Sequence, residues 1–458
     1  MKSSKKEIIT KIHKIPALRF DDQQLTSFSG AVLFQPLFDH LNLKARLKSC
    51  FQHLNVSPIF GHHLVALLLI VHLLLGFRRL RDVDWYRDDP LVCRLLGMRK
   101  LPTVSTISRA LSHVDTKSVE HIRDLSSALV IEGLQREGFP RVTLDFDGSV
   151  LSTKGHREGT AIGFNPQKKG ARSYYPLFCT VAQTGQFLDL HHRPGNVHDS
   201  NGAPEFMLQC FQRLREHLPN TRFESRIDSA FFDEATLALL AGLGVEFTAT
   251  VPFLRFPELK DLIEHRQRWR RIDGEWSYFE TNWNPTSWNT SYRFLFVRKR
   301  IRRRIKGPLQ LDLFEPRDFN YEYKVIVTNK RESAKAIIPF HNGRGSQEGL
   351  FAEAKQQAGL GVLPSRRLAG NQVFTVCAMI AHNLSREIQM LALQPSRRAR
   401  PKRPAAWLFE TLGTLRHRVI QRAGRLTRPQ GELTLTLSAN PAVKNDLLHF
   451  LDALQKVV

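Results

Sequence analysis

A chain of 458 residues sets 67 lysines and arginines against 43 aspartates and glutamates, a formal net charge of +24, with an isoelectric point near 10.2. That balance argues against an acidic binding module and favours a polyphosphate partner, because neutralising such a backbone releases its condensed counterions. The five cysteines, at positions 50, 93, 179, 210 and 377, show no Cys-x-x-Cys spacing, which argues against a disulfide framework or structural zinc and suits a reducing cytoplasm.

Met1 to Lys6 is basic but lacks the apolar run of a signal peptide. From about residue 28 to 138 the pattern is helical with short breaks. Leu64 to Phe77 is strongly apolar, yet His72 interrupts it and it falls short of the roughly 18 to 20 residues that span a bilayer, so a buried core helix is predicted. Leu101 to Leu111 places hydroxyl residues before an amphipathic turn, as in the second helix of a helix-turn-helix, with Ser105, Thr106 and Arg109 as DNA-facing candidates. The plainer reading of that stretch is a capped helix.

Residues 141 to 252 predict strands near 142–148, 174–182, 186–191, 223–228 and 245–252, with helices near 203–217 and 233–243. In the first strand Val142, Leu144 and Phe146 alternate with Thr143, Asp145 and Asp147, so both aspartates project from one face. Asp228 ends the fourth strand, and an acid at a strand's carboxyl end is where open α/β sheets place ligands. Taken singly, Asp147-Gly148 reads as a turn and Asp228 as a helix cap. His191 to Asp199 holds three imidazoles without a zinc spacing; it reads as a turn facing the site, with no catalytic role.

The stretch after Val251 is rich in aromatic and β-branched residues, among them Trp276, Tyr278, Trp283, Trp288 and Tyr292, whose rings are expected to form a small core of their own. Stacking on an unpaired base is the functional alternative. Arg298 to Lys306, beside the strand-like Tyr292 to Val297, and Arg397 to Arg403 are candidate DNA contacts. His341 to Lys355 then strings an imidazole, a guanidinium, a carboxylate and an ammonium along one helical stripe. At about 100° per residue, Arg344 and Lys355 fall within roughly 40° and 20° of Glu348, whereas Glu353 lies about 140° away. An ordinary ion-pair face would look similar. Two strand aspartates with Glu348, however, make an oxygen-rich set suited to Mg²⁺, and paired ions serve in-line phosphoryl transfer. Asn371 to Leu393 predicts a buried helix behind the sheet, and the remaining tail is basic.

On these residues the chain resembles the bacterial insertion-sequence transposases of the DDE type, DDE domain group 1. It resembles in particular their branch with a Tyr-x2-Arg-x3-Glu-x6-Lys signature. Arg344, Glu348 and Lys355 match that spacing, with His341 in the tyrosine position; Asp228, Ala230 and Phe232 match the second-aspartate motif, and Leu144 to Ser149 the first. The resemblance implies an α/β fold: a ribonuclease H-like catalytic domain (139–252 and 336–394) with a mostly β insertion (253–335), an α-helical DNA-binding region (1–138) and a basic C-terminal region (395–458). It implies Asp147, Asp228 and Glu348 as catalytic metal ligands, with Asp145 in reserve, and Arg344, Lys355 and His341 on DNA phosphates. The implied cofactor is Mg²⁺, with Mn²⁺ as the alternative ion. The implied partners are double-stranded DNA, as terminal inverted repeats and target, and a second copy forming a homodimer on paired ends, with no membrane. The implied setting is the bacterial cytoplasm, at the nucleoid. The activity expected is cleavage and strand transfer at the ends of an insertion sequence. A transposase-derived repressor or architectural factor without catalysis, and a nuclease that cuts without joining, are the competing readings.

Overall fold

The structure is a computed structural model that describes residues 15–54, 60–163, 165, 168–252, 255–301, 320–396 and 404–456. The stretch 397–403 and most of the run 298–306 therefore lie outside the described residues. After a two-residue strand, Leu25–Thr26, that pairs with Gly424 and Arg425, come the helices α1 (Phe34–His40), α2 (Leu43–Cys50), α3 (His62–Leu75), α4 (Pro90–Leu96), α5 (Val104–His113) and α6 (Thr116–Glu137). Helix α3 is the predicted core helix, buried from Val65 to Leu75. His72 is tolerated there because its Nδ1 meets the Tyr86 hydroxyl at 2.8 Å, which satisfies one polar edge inside an apolar core. Among the described residues no helix is long and apolar enough to cross a membrane.

The second half alternates strands and helices: β1 (Arg141–Gly148), β2 (Leu177–Val181), β3 (Gln186–His191), α7 (Ala203–His217), β4 (Arg222–Ile227), α8 (Glu234–Gly242) and β5 (Glu246–Val251). These match the elements predicted between 141 and 252, except that the strand predicted at 174–182 divides at Pro176, which has no N–H for the ladder. Arg172–Tyr174 joins a small separate sheet, and β2 joins the main one. After β5 come α9 (Glu258–Glu264), β6 (Arg270–Arg271), β7 (Trp276–Glu280), β8 (Arg293–Arg300), β9 (Tyr321–Thr328), α10 (Ala334–Asn342), α11 (Ser346–Gln357), α12 (Leu368–Ala392) and α13 (Pro441–Gln455).

One nine-stranded sheet runs β6-β7-β8-β9-β5-β4-β1-β2-β3. Strand β1 pairs antiparallel with β2 and parallel with β4, and β4 runs parallel to β5. The mostly β stretch after β5 differs from expectation: it adds its strands to the main sheet, with β9 antiparallel on β5 in the register Val325↔Val251. Its rings Trp283, Trp288 and Tyr292 pack on the main core, while Leu295, Val297 and Ile326 on the opposite face close against α10. The cause is the apolar stretch of β9: Val325, Ile326 and Val327 are fully buried, and pairing with β5 satisfies backbone groups that an edge would leave open.

Helix α12 is buried along nearly its whole length, contacting α3, α6 and β3. A single apolar core joins it to the first helices, so residues from both ends of the chain share one interior.

Candidate active site

The parallel pair β1 and β4 sets Asp145 opposite Arg226. Strand side chains repeat every second residue, so Asp147 and Asp228, each two positions further on, emerge side by side at the carboxyl ends of the two strands. Asp228 remains extended (φ −81°, ψ 170°), and its Oδ1 accepts from the backbone N–H of Ser229 at 2.5 Å. Helix α8 has its own cap in Asp233.

Helices α10 and α11, joined by a tight helical turn at Gly343–Gly345, bring the basic stripe to this strand end. The Arg344 guanidinium donates to Asp147 at 3.3 Å and to Asp228 at 2.6 Å. Further along, Lys355 donates to the carbonyl of Val150 at 3.0 Å. Glu348, in the first turn of α11, lies between these two anchors on the same stripe and is exposed. Glu353, on the other side of α11, is a structural residue that pairs with Arg386 of α12 at 2.5 Å.

Burial pushes the Asp147 carboxyl up to about 6; Asp228 and Asp199 raise it as well, and Arg344 works against them. Burial lowers the Lys355 ammonium, opposed by Asp147. Burial and Arg344 together lower that of Lys324, which extends from β9 to Asn342 at 3.3 Å, while Asp228 favours its charged form. The site thus carries carboxylates and cations in close balance, half-open to solvent.

Two predicted roles are corrected by the geometry. Both oxygens of Asp145 are taken by Arg226, at 2.7 and 2.5 Å, in a pair almost completely removed from water. A metal ion there would have to break a buried ion pair, so Asp145 is an anchor and the reserve assignment falls. His341 is also buried, with Nδ1 and Nε2 on the hydroxyls of Thr248 and Thr250 at 3.0 and 2.9 Å. Burial holds its pKa well below the ordinary histidine value. A neutral imidazole spent on strand β5 cannot grip a phosphate, and its work is to dock α10 on the sheet.

The structure brings Asp147 and Asp228 onto one guanidinium but does not close all three predicted acids into a cluster. Among the described residues, the one group of three potential metal-ligating side chains with ligand atoms within 4.8 Å of one another is Glu224, Glu246 and Glu332. Sequence reasoning missed Arg226, which also donates to the Phe340 carbonyl at 3.1 Å and so ties β1 to the start of the Arg344 turn. Gly343 is required there, since a Cβ would stand 2.6 Å from an Arg226 nitrogen. Gln347 was missed too; its amide donates to the Asp145 carbonyl and the Thr180 hydroxyl. The same-face spacing of Asp145 and Asp147 against Arg226 and Asp228 was the available signal.

A family model described as transposase DDE domain group 1 matches residues 10–458. The chain belongs to that family. Its activity is that of a DNA transposase of the DDE type, a nuclease and transesterase, and enzymes of this type use divalent metals. Among solved structures, the piggyBac transposase synaptic complex with hairpin DNA is 12% identical over 79% of this transposase and 76% of that chain, with a TM-score of 0.37. The pre-cleavage Mos1 transpososome is 12% identical over 43% of this chain and 60% of that one, with a TM-score of 0.17. The Mos1 mariner paired end complex with Mn is 13% identical, with the same coverage and TM-score. No relative emerges among the curated proteins.

Proposed function

We propose that this transposase cuts and joins DNA at the ends of an insertion sequence, using Asp147, Asp228 and Glu348 as metal-binding carboxylates and Arg344 and Lys355 as phosphate contacts. The carrying observation is the convergence of Asp147 and Asp228 on a single cation, Arg344, at the carboxyl ends of adjacent parallel strands. Two carboxylates that share one guanidinium fit a shared divalent ion in the same place. Mg²⁺ suits the all-oxygen donor set, and Mn²⁺ accepts the same ligands. When bound, such ions supply charge neutralisation at the attacked phosphate and lower the pKa of the nucleophile.

The chain's own groups do the rest. Arg344, which holds both aspartates, would present its planar fork of donors to a phosphate oxygen if an ion occupied the place between them. Glu348, exposed one turn along the same stripe, would complete the donor set. Lys355 holds the Val150 carbonyl and supplies a point charge for a neighbouring phosphate.

The strand order β3-β2-β1-β4-β5, with β1 to β3 antiparallel and β4 and β5 parallel to β1, supports a ribonuclease H-like reading of residues 139–252 and 336–394. The segment 253–335 is read as the insertion, fused edge-on to that sheet. Residues 1–138 and 395–458 are read as DNA-contacting flanks, with the exposed Ser105 and Arg109 of α5 available to the duplex. The partners are terminal repeats and target DNA, engaged by a dimer on paired ends.

The test is strand cleavage of element-end DNA by the full chain with Mg²⁺. Glu348→Gln is expected to abolish product while leaving DNA affinity intact. Equal cleavage by wild type and mutant would remove Glu348 from the site.

A further inference from the structure

Strand β9 carries a lysine onto the face of the sheet that bears Asp147 and Asp228. The register sets Arg226 of β4 beside Thr248 of β5, and Thr250 of β5 opposite Ile326 of β9. Side chains on a strand return to one face every second residue, so Asp228, Thr250 and Lys324 share a face. Asp147 joins them through the parallel pair β1 and β4. Because β9 runs antiparallel to β5, Lys324 lies at the carboxyl end of β5, the same end of the sheet as the two aspartates. In the order β1-β4-β5-β9 it stands on the side of Asp228 away from Asp147. Lys355 marks the other flank, on the Val150 carbonyl just beyond β1.

The charge of Lys324 is unanswered within the protein. The side chain is half-buried, and its Nζ donates to a neutral oxygen, the Asn342 Oδ1, at 3.3 Å; among the described residues it forms no ion pair. Lys330, on the loop that follows β9, is the contrast, since it is fully buried and lies on Glu224 and Glu246 at 2.5 and 2.8 Å. A partly dehydrated ammonium without a counterion is a cost to the fold that an arriving anion removes. Burial and the nearby Arg344 both oppose its charge, whereas Asp228 and Glu322 favour it. Capping a helix end does not account for this lysine. The backbone stays right-handed helical from α10 through Asn342, Gly343, Gly345 and Ser346 into α11, so no free helix terminus lies at Asn342.

We infer that Lys324 is a phosphate-binding residue of the catalytic centre, contributed by the inserted segment, and that a DNA strand crossing Asp147 and Asp228 is gripped on both flanks, by Lys355 beyond β1 and by Lys324 beyond β4. This deepens the reading of the strand end as the place where DNA is attacked, and it rests on that reading. A phosphodiester backbone carries its charges in a row, and cations on either side of the aspartates meet successive members of that row.

The experiment is titration of element-end DNA with the full chain across a salt series, in Ca²⁺, a hard cation that takes oxygen ligands as Mg²⁺ does. Lys324→Met is expected to reduce the slope of log affinity against log salt by about 0.9, the counterion release of one contact. The affinity lost between about 50 and about 200 mM salt then becomes about 3.5-fold smaller. Its thermal midpoint should equal or exceed that of the wild type, because an unanswered charge has been removed. Lys324→Gln, which keeps a polar end for Asn342, carries the test if the methionine variant does not fold. Lys324→Arg is expected to keep the wild-type slope. A wild-type slope in the folded neutral variants would overturn the inference, and so would an equal loss of slope in Lys324→Arg. Lys355→Met separates the two readings. A reduced slope there with none at position 324 removes Lys324 alone, whereas wild-type slopes at both positions remove the strand end as a DNA-binding site.

Discussion

The two ends of the parallel strands β1, β4 and β5 carry acidic clusters of opposite character. At the amino-terminal end Glu224, Glu246 and Glu332 gather within ligand distance of one another, yet Lys330 reaches Glu224 at 2.5 Å and Glu246 at 2.8 Å, and Arg141 reaches the same two at 2.6 and 2.7 Å. Glu224 and Lys330 are 2% and 1% exposed. At the carboxyl end Asp147 and Asp228 are 27% and 38% exposed and share the single guanidinium of Arg344. Compactness of an acidic cluster is therefore a poor guide to chemistry. The closed cluster is a buried charge network that locks strands together, while the looser one leaves its carboxylate oxygens open to solvent.

The strongest way to break this contrast is Asp228→Asn, expected to lower Mg²⁺-dependent cleavage by about 10³-fold or more, as loss of several kcal/mol of transition-state charge stabilisation requires. Thermal unfolding of that variant should stay close to wild type. Lys330→Met should do the reverse: denaturant titration is expected to show a loss of about 3 kcal/mol, near the low end for an orphaned buried charge because Arg141 remains. Stability loss in Asp228→Asn matching that in Lys330→Met would erase the distinction between the two ends.

A finer test uses pH. The Asp147 carboxyl, raised to about 6, takes up a proton as pH falls through that value, and a protonated carboxyl is a poor metal ligand. Mn²⁺ affinity should hold above pH 6 and decline below it, approaching roughly tenfold per unit for one displaced proton. Because Arg344 opposes the shift, Arg344→Gln should move the onset to higher pH; an unmoved onset would show that the guanidinium does not act on Asp147. The smallest effect expected is on DNA affinity in His341→Gln. Filter binding across a salt series should give the wild-type slope, since this ring faces Thr248 and Thr250 and contributes no counterion release.

The strands bearing Asp147 and Asp228 were legible because a period of two is written directly in their apolar residues, and the Arg344 to Lys355 stripe because helical spacing survives a tight turn. The pairing of Asp145 with Arg226 was not, since an arginine within a strand reads as a solvent-facing position until its neighbour is known. His341 was misplaced for a related reason: spacing gives the angle around a helix but not which flank of the stripe is covered, and β5 covers that one. The merging of β7, β8 and β9 into the main sheet depended on β9 finding β5, a long-range choice that local pattern does not encode.

The burial of α12 between α3, α6 and β3 bears on how the polypeptide acquires its shape during synthesis. Helix α3 has apolar residues on every side, and a large part of its covering comes from Leu368–Ala392, some three hundred positions downstream. Contacts so distant along the chain form late and leave oily surface uncovered meanwhile. A ribosome must release almost the entire catalytic half before the opening helices can close, so truncated translation products would emerge as sticky, inactive fragments rather than as free DNA-binding heads.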